Sequence, residues 1–258
     1  MYIEERHQAI LDLLKEHGSI SNLDIQKKFS VSYESAKRDL RILEEKGLLK
    51  RTHGGALPVR QVATSRPADL TIKDYEEIKK NYFFIAKKAI EMIENNDVIF
   101  LSSTTICYFI AQNLPYDKRV RVVTNSIIIA EELRSRENVS VILLGGEMDK
   151  KGNCYDAFAI NTVNKLRIDK SFICSAAISA EFGLSIQRSV AISFFNAVMD
   201  SSKITIGLFP KEKIGFDSIV SICLAERLNM LITDWDALEE DLELFREKGI
   251  EVIVVDEE

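Results

Sequence analysis

The chain has 258 residues, 46% hydrophobic and 29% charged, with a formal net charge of −6; that is material for one large domain plus a small one, or for two of middle size. No run of about 18 apolar residues occurs, which argues against a membrane-spanning helix, and the opening MYIEERHQAI lacks the apolar stretch of a secretory leader. Cys107, Cys154, Cys174 and Cys223 stand far apart, three of them in apolar surroundings, and His7, His17 and His53 have no metal-ligand spacing, so a reduced, cytoplasmic protein with no metal or other cofactor is expected.

The average charge hides an asymmetry. Residues 1–60 carry 11 Lys and Arg against 9 Asp and Glu, a net +2, while the remainder carries 23 against 31, a net −8. Between Lys27 and Arg60 the ratio is nine to four. A basic patch on a small head joined to an acidic body suits a protein that meets phosphate at one end only.

In chain order, residues 3–17 place Ile3, Ile10, Leu13 and Leu14 on one helical face, with Gly18 available to end the helix. Ser21-Asn22-Leu23-Asp24 reads as a capping-box start, with Ile20 and Ile25 as its hydrophobic staple, and this second helix runs out near Phe29. Ser32 is the N-cap of a third helix in which Ala36, Leu40 and Leu43 repeat at core spacing. Tyr33, Glu34, Lys37, Arg38 and Arg41 are left facing outward. Two short helices joined by a short turn, the second with a polar and basic outer face, form a helix-turn-helix. Base reading falls to Ser32, Tyr33, Glu34, Ser35, Lys37 and Arg38, and Arg41 is assigned to a phosphate. The alternation from Leu48 to Ala56, closing on Gly54-Gly55, reads as a β-ribbon wing that lays Arg51 and His53 on the sugar-phosphate backbone. The winged helix-turn-helix is assigned to residues 1–57, and the aperiodic stretch 58–75 to a linker.

From residue 76 to 258 strand-like and helical runs alternate. Strands are expected at Val98–Leu101, Val120–Thr124, Val139–Leu144, Phe172–Cys174, Ile204–Leu208, Met230–Ile232 and Glu251–Val255, with helices near 78–95, 105–113, 126–136, 157–167, 188–200 and 236–248. Such alternation implies an α/β domain with a mostly parallel sheet covered on both faces, and a ligand beyond the carboxyl ends of its strands. Three strand ends carry suitable groups: Ser102-Ser103-Thr104-Thr105, then Thr124-Asn125, then Gly145-Gly146. They serve equally as helix caps and tight turns. Arg188 and Lys213 are further candidates to hold an anionic small-molecule effector.

The run Glu5 to Leu11, Val31-Ser32 through Lys37-Arg38-Asp39-Leu40, Gly47-Leu48-Leu49 and His53-Gly54-Gly55-Ala56 closely resembles the head of the DeoR family of bacterial transcription regulators. Residues IFLSSTT, VVTNS, VILLGGEM and MLITD extend the resemblance over most of the chain. It implies a DNA-binding regulator, usually a repressor of a metabolic operon, acting on double-stranded operator DNA. It also implies a sensor domain related to ribose-5-phosphate isomerase that binds phosphorylated sugars or related metabolites. The family's Thr-Ile-Arg in the recognition helix is Ser35-Ala36-Lys37 here, a change expected to alter operator preference. Departures concentrate where the ligand should sit: Ser102 replaces an Asp, Thr104 a Gly, Asp156-Ala157 a Gly-Pro, and Cys174 to Ala177 a G-x-D-G-like turn. A Glu-x-x-x-Lys start aligns near Ala191 and Phe195, Pro210 replaces another Asp, and only Lys213 persists from that last group. A sugar would lose partners there, so the pocket is expected to accept a different or less polar ligand, or none. An isomerase-like enzyme would need a positioned carboxylate base, and Ser102, Ala176 and Pro210 stand where acids would be wanted, so no enzymatic activity is expected. A body that only oligomerises the heads is the remaining alternative. Winged-helix heads usually read paired half-sites, so a homodimer or homotetramer is expected.

Overall fold

The structure, a computed structural model, describes residues 3–17, 19–46, 48–52, 54–58 and 80–257. His53, Gly18, Gly47 and the linker positions 59–75 lie outside the described residues. The chain divides into two compact units, 1–61 and 62–258.

In the first unit, helix α1 (Ile3–His17), strand β1 (Ile20–Ser21), α2 (Asn22–Phe29), α3 (Tyr33–Glu45), β2 (Leu49–Arg51) and β3 (Gly55–Pro58) follow in order. The caps form as their residues dictate. Ser21 Oγ accepts from Asp24 N at 3.0 Å and the Asp24 carboxylate accepts from Ser21 N at 3.2 Å, while Ser32 Oγ accepts from Ser35 N at 3.1 Å. Ile10, Leu14, Ile25, Ala36, Leu40, Leu43 and Leu49 make the buried core beneath them. β2 and β3 form the antiparallel wing, and β3 also pairs with β1, with Ile20 opposite Ala56 and Ser21 opposite Gly55. That second pairing explains part of the Gly-Gly sequence, because a Cβ on Gly55 would lie 2.0 Å from the Ile20 carbonyl oxygen. Pro58 pairs with Leu49, so β3 runs one residue beyond the boundary expected from sequence.

The second unit is built on a seven-stranded sheet. Its strands are β4 (Val98–Leu101), β5 (Val120–Thr124), β6 (Val139–Leu143), β7 (Ile168–Ile173), β10 (Ser202–Leu208), β12 (Met230–Asp234) and β13 (Glu251–Val255). They lie in the order β13-β12-β10-β7-β4-β5-β6, every pair parallel. Because alternate residues of a strand point to opposite faces, the sheet carries two cores. Ile99, Leu101, Val122, Phe172, Ile206 and Ile232 pack with α4 (Lys80–Glu91), α5 (Thr105–Gln112) and α6 (Ile127–Leu133). Phe100, Val123, Ile173 and Leu231 pack with α7 (Ala157–Val163), α8 (Ile192–Asp200) and α9 (Glu239–Glu247).

A separate three-stranded antiparallel sheet, in the order β11-β9-β8, was not expected from sequence. It joins β8 (Ala177–Ser179), β9 (Gly183–Ile186) and β11 (Val220–Cys223).

Candidate functional site

The third helix, α3, places the expected base-reading residues along its outer face. Ser32, Tyr33, Glu34 and Arg38 are exposed, and Ser35 and Lys37 half-buried. Glu34, Ser35, Lys37, Arg38, Arg41 and, from the wing, Arg51 line one open concavity. Its charges are held lightly. Lys37 Nζ lies 3.9 Å from Glu34 and 5.4 Å from the centre of the Tyr33 ring, and Arg41 Nε lies 3.9 Å from Glu45. Exposed pairs of this kind contribute about 0–1 kcal/mol, so a phosphate or base edge can displace them. Arg51 is held more firmly: its backbone N–H donates to Glu44 Oε1 at 2.9 Å.

Two residues of α1 escaped the sequence reasoning as site residues. Arg6 donates to Asp39 from both Nε (2.7 Å) and Nη2 (3.1 Å), and His7 Nε2 lies 3.1 Å from the same carboxylate. Asp39 belongs to α3 and is fully buried. Burial alone would push its pKa up; the hydrogen bonds and charges of Arg6 and His7 outweigh that and hold the carboxyl below its ordinary value. The available signal was spacing: Asp39 falls between Ala36, Leu40 and Leu43 on the core face, where a carboxylate needs a buried cation.

In the second unit the strand-end residues divide into those that face inward and those that line an opening. Ser102 and Thr124 are fully buried. Ser102 Oγ lies 3.4 Å from Cys107 Sγ, and Thr124 Oγ1 donates to the Leu101 carbonyl at 2.9 Å while accepting from Ser126 N at 3.1 Å. The first hydroxyl faces helix α5, and the second ties β5 to β4 and to the loop that follows. Asn125 is also buried; its Nδ2 donates to the Cys154 carbonyl at 3.2 Å, and its Oδ1 has no partner among the described residues. Thr104 caps α5 weakly, accepting from Cys107 N at 3.4 Å, and Thr105 is half-buried on its first turn.

Ser103 meets a group the sequence did not bring forward. Its Oγ lies 2.7 Å from the Tyr155 hydroxyl, and the Tyr155 ring packs edge-on against Phe194 at 5.4 Å between centres and tilted against Phe195 at 6.2 Å. Burial raises the Tyr155 pKa, so the group stays a neutral phenol. Because Leu101 pairs with Phe172, the loop after β4 lies beside the loop after β7, where Lys213 Nζ donates to the Ser175 carbonyl at 3.1 Å and lies 3.1 Å from Cys174 Sγ. Ser103, Asn125, Tyr155 and Lys213 therefore belong to neighbouring loops. Gly145 and Gly146, in the same β6–α7 connection as Tyr155, line a different opening, with Glu147, Asp156, Phe158 and Lys165. There the Asp156 carboxylate accepts from the backbone N–H of Glu147 (2.7 Å), Phe158 (3.1 Å) and Ala159 (3.2 Å), and these bonds lower its pKa. The protein's own carboxylate takes the close approach that Gly146 had been expected to offer a ligand. Arg188, past β9, is exposed and makes no ion pair among the described residues.

Comparison with known proteins gives these two units their class. Residues 6–62 match the DeoR-like helix-turn-helix domain, and residues 79–235 match the DeoR C-terminal sensor domain. The chain belongs to the DeoR family of DNA-binding transcriptional regulators. It is 30% identical to the HTH-type transcriptional repressor GlcR of Bacillus subtilis, over 100% of this chain and 98% of that one. It is 26% identical to the HTH-type transcriptional regulator GolR of Listeria innocua, over 99% of this chain and 100% of the relative. With the glycerol-3-phosphate regulon repressor of Escherichia coli it shares 28% identity, over 89% and 90% of the two chains. Among solved structures, ribose 5-phosphate isomerase from Plasmodium falciparum overlays 52% of each chain at 18% identity, with a TM-score of 0.38. No helix among the described residues is long and apolar enough to cross a membrane.

Proposed function

We propose that this chain is a repressor of a metabolic operon that reads operator DNA with α3 and the wing and is controlled by a small anionic metabolite. The observation that carries the DNA half is the convergence of Ser35, Lys37, Arg38, Arg41 and Arg51 on one concavity. Arg and Lys side chains on such a helix pair with guanine edges, and the wing and Arg41 hold phosphates. The domain division that goes with it is 1–57 for the head, 58–75 for the linker and 76–258 for the sensor. The repressors among the named relatives support repression, although an L-fucose operon activator of Escherichia coli is 29% identical over 89% of this chain.

The effector site we assign to the loops after β4, β5, β7 and β10, with Ser103, Thr104, Thr105, Lys213 and the buried Asn125 as its residues. Behind Ser103 the half-buried Tyr155 packs on the buried rings of Phe194 and Phe195. A polyol needs many hydrogen-bonding partners, and Ser102 and Thr124 spend theirs internally. The ligand this favours carries one negative charge for Lys213 and a body less polar than a sugar. We propose no enzymatic role. Asp234, buried at the end of β12, accepts from Asn81 Nδ2 (2.9 Å), Lys211 N (3.0 Å) and Asp236 N (3.2 Å), which suits a structural carboxylate better than a base. The working form we propose is a cytoplasmic homodimer or homotetramer.

Selection of binding sites from random duplex DNA, followed by reporter transcription from the selected site with and without the protein, tests the regulator. Activation in place of repression overturns the sign. Calorimetric titration with common sugar phosphates tests the pocket: saturable micromolar binding of an ordinary hexose or pentose phosphate overturns the less polar ligand.

A further inference from the structure

We propose that Arg6 and His7 are positioning residues for base reading: through Asp39 they fix the rotation of α3 about its own axis. The inference rests on α3 being the recognition helix.

Aliphatic packing is non-directional, so Ala36, Leu40 and Leu43 hold α3 against the core without setting its rotation tightly. The Arg6 fork on Asp39 is directional, with both donors fixed in one plane at 2.7 and 3.1 Å, and His7, the next residue of α1, adds a contact at 3.1 Å to Oδ1. Asp39 is fully buried and His7 is 6% exposed, so water competes little for these contacts. At roughly 100° per residue, Asp39 lies about 100° around the helix from Arg38 and about 160° from Lys37 and Arg41. A rotation of about 20° would carry the tip of an outward side chain some 2 Å. Base-edge contacts tolerate about 0.5 Å.

Stability alone does not account for the cluster. Replacing a buried ion pair by apolar groups of similar volume is often neutral or stabilising, so a helix that only had to pack would be served as well by leucine at position 39. The charge balance agrees. Asp39 directly follows Arg38 on the face-bearing helix, and an uncompensated carboxylate there would repel phosphate; Arg6 neutralises it.

The test uses the full-length chain, its best duplex from random-DNA selection, and the unselected pool as the competitor. Arg6→Lys keeps the charge and loses the fork. The triple variant Arg6→Met, His7→Leu and Asp39→Leu removes the cluster and leaves no buried polar side chain of it behind. Both are expected to melt within a few degrees of the parent, to keep their affinity for the random pool, and to lose about tenfold in preference for the selected duplex. An unchanged preference in either folded variant overturns the proposal. So does loss of the folded head in both, since the cluster would then be a stability element. Failure of the parent chain to enrich any sequence is a separate result, and it would remove the recognition-helix reading itself.

Discussion

Glu44 holds Arg51 at two points: its Oε1 accepts the Arg51 backbone N–H at 2.9 Å, and its Oε2 lies 3.7 Å from Arg51 Nη1. The end of α3 and the first strand of the wing are thereby joined through one carboxylate, and that carboxylate stands beside the surface expected to meet phosphate. Glu44→Gln keeps an acceptor for the backbone and removes the charge, so affinity for DNA of any sequence should rise about twofold to fivefold at low salt. Glu44→Ala also frees the wing, and operator affinity should fall below that of Glu44→Gln by about 1 kcal/mol. Fluorescence anisotropy on operator and random duplexes at two salt concentrations separates the two effects.

Arg38 and Arg51 should fail differently. Arg38→Ala is expected to lose about 1–3 kcal/mol on the operator and little on random DNA, because a base contact carries the sequence information. Arg51→Ala should weaken binding to all sequences alike and lower the slope of log affinity against log salt by about 1. Equal losses on both DNAs for Arg38→Ala would remove it from the base-reading set.

Acid should loosen the head through Asp39. Its carboxyl is held below the ordinary value when folded. Ionised Asp39 therefore stabilises the head fully above the unfolded carboxylate range, and that contribution is lost as pH falls through the folded pKa. Arg6→Met removes the main stabilising partner while desolvation remains, so the acid-unfolding midpoint of helical signal should move to higher pH. A midpoint that does not move would show that the carboxylate is not coupled to folding.

Gly183 is fixed by close approach. It has φ +77°, and a Cβ there would lie 2.0 Å from the Cys223 carbonyl oxygen. Gly183→Ala has no side chain that can yield, and it should destabilise the second unit by about 1–3 kcal/mol, read as a fall in its denaturant midpoint. The head, a separate unit, should keep its own transition.

The head was legible because its rules are local. Ser21-x-x-Asp24, Ser32 and the spacing of Ala36, Leu40 and Leu43 act within one helix, and each forms as its chemistry requires. The parallel strands were legible as apolar runs between helices, with starts and ends within a few residues of those found; β7 and β10 begin earlier because their first residues, Ile168 to Ser171 and Ser202-Lys203, mix charge and hydroxyls. The small antiparallel sheet was missed because β8 and most of β9 are buried on both sides, which removes the polar-apolar alternation, and because each strand has only 3 or 4 residues. At the strand ends the residue types were visible and their directions were not. Nothing in the string SSTT says that the first hydroxyl turns inward to Cys107 and the second meets Tyr155, fifty-two positions away.

The order of the strands also imposes an order in time. Every residue of the head's core lies within the first 58, so that unit can close as soon as they are made. The central pair of the large sheet, β4 and β7, joins Ile99 to Lys170, and the outermost strand is not complete until Val255. At about 5–20 residues per second of synthesis, roughly 10–40 s separate the two events, and parallel sheets assembled from distant segments fold slowly besides. On each new chain the part that grips DNA is finished well before the sheet that follows it.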